Sequence, residues 1–132
     1  MREITKIIIH CADTPADMDI GAEDINQWHL ERGWSGVGYH WVIRRDGTVE
    51  QGRLESTSGA HAYGHNQNSI GVCLVGGKGG CNFTSSQWAA LDALVNDLVH
   101  RYSGAEVIGH NDVSDKPCPM FDAKAWAGTL GR

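Results

Sequence analysis

The run Ile70-Gly71-Val72-Cys73-Leu74-Val75 constrains the fold more than any other stretch of the chain. It is short, uncharged and apolar without alternation, so it reads as a central strand covered on both faces. Such strands sit in sheets flanked by helices, which form where strands and helices alternate along the sequence. The rest of the chain supplies that alternation. Residues 5–11 make a second buried strand, with three isoleucines in a row. Residues 22–31 read as a helix with Ile25, Trp28 and His29 on one side and Gly33 as its stop. Residues 39–44 are strand-like, Asp46-Gly47 carries a hairpin signal, and residues 48–52 return. Thr84-Ser85-Ser86-Gln87 is a capping box. It opens a helix in which Trp88, Leu91, Val95, Leu98 and Tyr102 recur at helical spacing. Residues 106–109 form a last short strand, and Asp122 caps a short helix running through Trp126 towards Leu130. The expected fold is α/β: a single domain over residues 1–132, with a mixed sheet of about five strands flanked by helices. A chain of 132 residues is long enough to bury one good core.

Composition removes several function classes. The formal net charge of -5 argues against a general nucleic-acid binder, which needs a basic face. Ile7 to Ile9 is flanked by Lys6 and His10, so the N-terminal end holds neither a signal peptide nor a membrane span. The protein is expected to be made in a cytoplasm, to avoid membrane insertion and to be a monomer. Its four cysteines, Cys11, Cys73, Cys81 and Cys118, include no C-x-x-C pair and are expected as free thiols. Gly76 to Gly80 lacks the spacing of a phosphate-binding loop around Lys78 and reads as a flexible turn.

The chemistry gathers near the end of the chain, in Gly109-His110-Asn111-Asp112-Val113-Ser114-Asp115-Lys116-Pro117-Cys118-Pro119. This irregular segment carries two good metal ligands and a lysine between prolines. At the other end of the chain, the first strand closes on His10. If the first and last strands run parallel and close together, His10 and His110 emerge at one sheet edge, where ligands of open α/β sheets collect. With Cys118 they make three ligands and leave a fourth position open, the layout of catalytic zinc. His10 and Cys11 point to opposite faces of their strand, so Cys11 becomes a core thiol.

Four further side chains carry both a plain and a chemical reading. Strand alternation puts one of Tyr39 and His40 on the site side. Tyr39 is a half-buried sheet aromatic on pattern alone, or a phenol that hydrogen-bonds a metal-held water or a developing oxyanion. Lys116 is a solvated lysine, or a cation beside a tetrahedral intermediate. His61 and Asn66 lie in a long polar loop, residues 53–67, and are loop polarity or substrate contacts. Either Asp112 or Asp115 could accept a hydrogen bond from a ligand imidazole.

Ile9-His10-Cys11, Gly38-Tyr39-His40, Arg45-Asp46-Gly47-Thr48-Val49, Ala60-His61-Ala62, residues 68–77 and Lys116-Pro117-Cys118-Pro119 occur in a specific order with specific spacings. That pattern resembles the zinc-dependent N-acetylmuramoyl-L-alanine amidases, above all the bacteriophage lysozymes of the T-seven phage type. These share a fold with animal peptidoglycan recognition proteins. The resemblance covers nearly the whole chain. It implies one Zn²⁺ held by His10, His110 and Cys118, catalytic assistance from Tyr39 and Lys116, and a substrate groove lined by His61. It implies an endolysin that hydrolyses the amide between N-acetylmuramic acid and L-alanine in peptidoglycan, made in the infected host and reaching the wall after release. Two alternatives accompany it. One is a peptidoglycan-binding module without catalysis, in which the cysteine ligand is typically replaced. The other is an amidase that also regulates the phage RNA polymerase, for which the N-terminal arm here is short.

Overall fold

The protein is described from a computed structural model covering residues 2–130. Its strands are β1 (Lys6–Cys11), β2 (Trp41–Ile43), β3 (Val49–Gln51), β4 (Ser69–Leu74) and β5 (Glu106–Gly109). Its α-helices are α1 (Ala22–Glu31), α2 (Ser85–Arg101) and α3 (Ala123–Ala127). Single 3₁₀ turns cover Asn66–Asn68 and His110–Asp112. The five strands form one mixed sheet in the order β3-β2-β4-β1-β5. β1 runs parallel to both β4 and β5, β4 is parallel to β2, and only β3 is antiparallel. The apolar run at residues 70–75 is therefore a central strand, as its lack of alternation required.

Register divides the strand residues between two faces. Ile8 is opposite Gly71 and Ile108, and His10 is opposite Cys73, which is also opposite Val42. The alternate residues Ile7, Ile9, Ile70, Val72, Leu74, Ile43 and Val107 fill the other face. There they meet Leu91, Val95 and Leu98 of α2 and Ala123 and Ala127 of α3 in the main core. Each fully buried Ile, Val or Leu of this kind contributes about 1.5–3 kcal/mol of transfer free energy. The first face is covered by Ile25 of α1, by Val37, and by Ala62 from the long loop.

The capping box of α2 also fixes the sheet edge. Thr84 Oγ1 accepts from Gln87 N at 3.1 Å, and Gln87 Oε1 accepts from Thr84 N at 3.0 Å. Gln87 is fully buried, and its Nε2 donates to Val75 O at 2.7 Å and Ile43 O at 3.2 Å. A capping residue thus adds a second donor to two carbonyls at the ends of β2 and β4, which also accept from Val75 N and Arg45 Nη1.

Two local expectations change, and the long loop proves to be fastened to the body of the protein. The second strand begins at Trp41, so Tyr39 and His40 precede it and strand alternation does not separate them. The glycine-rich turn is pinned: Gly76 N donates to Thr14 Oγ1 at 2.9 Å and Gly77 N to Asn82 Oδ1 at 2.8 Å. The long loop is tied down as well. Arg2 Nη1 donates to Asn66 O and Ser69 O, both at 3.1 Å, and Arg2 Nη2 to Glu55 O. Glu55 in turn accepts from Arg101 at 2.7 Å and from Trp41 Nε1 at 2.8 Å. Among the described residues, no helix is long and apolar enough to cross a membrane.

A His-His-Cys centre at the floor of a groove

Adjacent parallel strands deliver two of the three donors. His10 lies near the end of β1 with 1% of its surface exposed. β5 ends at Gly109, and His110 opens the following 3₁₀ turn. Asp112 closes that turn by accepting from Gly109 N at 2.8 Å. The chain then folds back over the end of β1, and Cys118 Sγ accepts from Cys11 N at 2.9 Å. The donor atoms of His10, His110 and Cys118 all lie within 4.8 Å of one another. The His10 and His110 rings are 4.4 Å apart between centroids.

Electrostatics prepares this set for a cation. Burial pushes the His10 imidazole well below its usual value, and His61, His110 and Lys116 push the same way. Burial and then Lys116 lower His110. Both rings are therefore neutral and have lone pairs to offer. A hydrogen bond with the Cys11 thiol, together with burial, pushes the Cys118 thiol up. Such a sulfur becomes a thiolate when a metal ion sits beside it. Two imidazole nitrogens and one sulfur are a donor set that would fit zinc with one further ligand to be supplied from outside the protein. All four cysteines are free thiols.

The centre lies in an open groove of about 1200 Å³. Tyr39 stands beside it, with its ring 5.1 Å from that of His10. Burial, reinforced by Cys73, Cys118 and Cys11, holds the phenol well above its ordinary value, so it is a neutral proton donor. Lys116 is exposed on the groove wall. His61 is at the floor: its Nδ1 is 2.8 Å from His10 Nε2, and its Nε2 is 3.2 Å from Ser69 Oγ. Burial pushes His61 down to about 3. Its ring lies flat against the backbone of β4, where a Cβ on Gly71 would sit 2.7 Å from it. Position 71 is a glycine because a histidine occupies the space a side chain would need.

Asn66 lines the same groove, but its carboxamide oxygen accepts from His61 N at 2.8 Å and Ala62 N at 2.9 Å. It holds the backbone that carries His61. Neither aspartate takes the place foreseen beside a ligand imidazole: Asp112 caps its turn, and Asp115 is exposed on the groove wall. His40 is fully buried, accepts from Gly71 N at 3.0 Å, and lies 5.8 Å from the His61 ring. His29 accepts from Gly38 N at 2.9 Å. Several groove residues carried no signal in the sequence. Trp28 leaves the buried side of α1, is 37% exposed and lines the groove with Trp34 and Tyr63. The Arg32 guanidinium lies 5.7 Å above the Trp34 ring. Ser69, buried at the start of β4 beneath His61, carried no signal either.

Comparison with known proteins agrees with this geometry. The family described as Amidase_2, N-acetylmuramoyl-L-alanine amidase, matches residues 1–121. The endolysin of Escherichia phage T7 is 49% identical over 125 residues, covering 91% of this chain and 83% of that protein. The structure of N-acetylmuramoyl-L-alanine amidase LysC from Clostridium intestinale URNW superposes with a TM-score of 0.86 at 31% identity, over 96% of this chain and 83% of that one. Drosophila PGRP-LB superposes with a TM-score of 0.83 at 27% identity, over 99% of this chain and 83% of that one. Sheet order, the convergence of the two chain ends and sequence identity thus lead to one conclusion: this chain belongs to the N-acetylmuramoyl-L-alanine amidase family.

Proposed function

We propose that this amidase is zinc-dependent, that residues 1–132 form one catalytic domain, and that His10, His110 and Cys118 hold one Zn²⁺. The observation that carries the reading is the convergence of these three donor atoms within 4.8 Å at the floor of a groove. The substrate is peptidoglycan, and the bond cleaved joins the lactyl group of N-acetylmuramic acid to the L-alanine of the stem peptide. Zinc in such a site supplies a Lewis acid and brings the pKa of a water from 15.7 to about 7. The neutral Tyr39 phenol, next to His10, donates a hydrogen bond to oxygen as it gains charge at the scissile carbonyl. Lys116 holds positive charge at the groove wall, where it opposes the negative charge that builds up during attack. His61 and Asn66 shape the floor beneath the substrate. The chain acts on the bacterial cell wall, as the name endolysin implies for its phage relative.

A binding module without catalysis is the competing reading. The full donor set, with Tyr39 beside it, favours the enzyme, because recognition alone needs no thiolate poised for a metal. The deciding experiment measures release of stem peptides from purified peptidoglycan, with zinc quantified in the same preparation. The expected result is one zinc per chain and release that a chelator abolishes and added zinc restores. Full release from metal-free protein would overturn the zinc proposal. Tight peptidoglycan binding with no release would favour the module.

A further inference from the structure

We propose that Ser69 and His61 form a proton-ordering chain that fixes His10 in the one tautomer able to hold the metal. This rests on the reading of His10 as a ligand. The chain can be followed one hydrogen at a time. Ser69 is fully buried, and its Oγ is 2.7 Å from His65 O and 3.2 Å from His61 Nε2. A hydroxyl has a single proton, and a carbonyl can only accept. The Ser69 proton therefore goes to His65 O, and the same oxygen must accept from His61. That places the ring proton of His61 on Nε2. A neutral imidazole carries one N–H, so His61 Nδ1 is a bare acceptor. It lies 2.8 Å from His10 Nε2, which must then be the donor. His10 is thereby left with its proton on Nε2 and its lone pair on Nδ1, free for the metal.

The position of His61 is itself held from three sides. Asn66 Oδ1 accepts from the backbone N–H groups of residues 61 and 62. Gly71 lets the ring lie against β4. Arg2 ties the carbonyls of Asn66 and Ser69, which follow His65, to the N-terminal segment. The reverse tautomer of His61 would point its Nε2 lone pair at a hydroxyl oxygen that has no proton left to give. Ligand histidines commonly donate their second N–H to a carboxylate or a backbone carbonyl. Here the acceptor is a neutral imidazole, which orients the ring without adding negative charge beside the metal. His61 and Ser69 are thus positioning residues acting through His10.

The test compares zinc dissociation constants of the full chain with those of H61L and H61N, and reads the His10 tautomer by ¹⁵N nuclear magnetic resonance. Asparagine places its Oδ1 where His61 Nδ1 stood, so it keeps the acceptor that leucine removes. H61L is expected to bind zinc about 10–100-fold more weakly, with H61N close to the parent protein. The His10 resonances are expected to report a proton on Nε2 both before and after zinc is added. The proposal is overturned if H61L binds zinc as tightly as the parent. It is also overturned if H61N is weakened as much as H61L, or if His10 carries its proton on Nδ1. Should H61L fail to fold, the spectrum of the parent protein decides. Because the metal-free spectrum needs no zinc, it tests this chain of hydrogens even if the zinc proposal itself fails.

Discussion

On one face of the sheet, Ile7, Ile9, Val72 and Leu74 meet Leu91, Val95 and Leu98 of α2, and all seven are fully buried. On the other face, the neighbouring residues of the same strands are Ile8, His10, Gly71 and Cys73, and above them lie His61, His40 and Tyr39. The first face is held by apolar contact and needs only volume and shape. The second is held by hydrogen bonds of fixed direction, and small residues open it to rings. A shift of one residue in β1 would exchange the two sets. Strand parity therefore assigns stability to one side and chemistry to the other, and substitutions on the two sides should fail in different ways.

The sharpest break should come at Cys118. C118S removes the one proposed donor that can become an anion, so zinc and turnover are expected to be lost together while the circular dichroism spectrum stays folded. A C118S protein with full zinc and full activity would place the centre elsewhere. On the opposite face, L91A should lower unfolding stability by about 2–5 kcal/mol, measured by denaturant titration, with one zinc still bound when folded. Loss of zinc without loss of stability in L91A would erase the distinction between the faces.

Y39F should leave zinc content unchanged and reduce kcat by about 10²–10³-fold, equivalent to about 2.7–4 kcal/mol, if the phenol donates to developing charge. An unchanged kcat would remove that role.

The smallest effect sharpens the contrast at the loop that carries His61. Hydrogen bonds from Arg101, then Tyr102 and Trp41, hold Glu55 at about 2, against 4.5 for a free carboxyl. A depressed carboxyl pKa adds stability that is fully present above about pH 4.5 and is lost as pH falls towards 2. E55Q should therefore be about 1–3 kcal/mol less stable at neutral pH and show a flatter acid profile across that window, measured by thermal unfolding. An identical pH profile would show that the ionised Glu55 does not hold the loop.

Much of this architecture is legible in residue periodicity. Residues 22–31 and 106–109 form a helix and a strand with those same bounds, and the box at Thr84 and Gln87 opens α2. Local spacing decides such elements, and local spacing is what a sequence displays. The residues proposed as donors stood out for a different reason: histidine and cysteine are conspicuous among prolines and glycines. Side chains engaged by distant partners were not visible. Trp28 sits at a core-like helical position yet faces the groove, because His29 takes the contact with the Gly38 backbone. Ser69 looked like the polar margin of an apolar strand, and its hydroxyl reaches His61 only because the loop folds back across β4. Arg2 gave no hint that it would bridge to residues 66 and 69, since no periodicity links positions so far apart.

The place of β1 inside the sheet, between β4 and β5, has a consequence for how the protein is made. Its two neighbours are β4 and β5, which begin at Ser69 and Glu106. A nascent chain emerging from the ribosome carries β1 first, but both partners arrive much later, and His110 and Cys118 follow the second of them. Until then, three isoleucines and an imidazole wait without the strands that cover them, the long-range pairing that slows folding. An unfinished copy of this wall-cutting protein therefore lacks the site proposed above, because His10, His110 and Cys118 come together only once translation has passed Cys118.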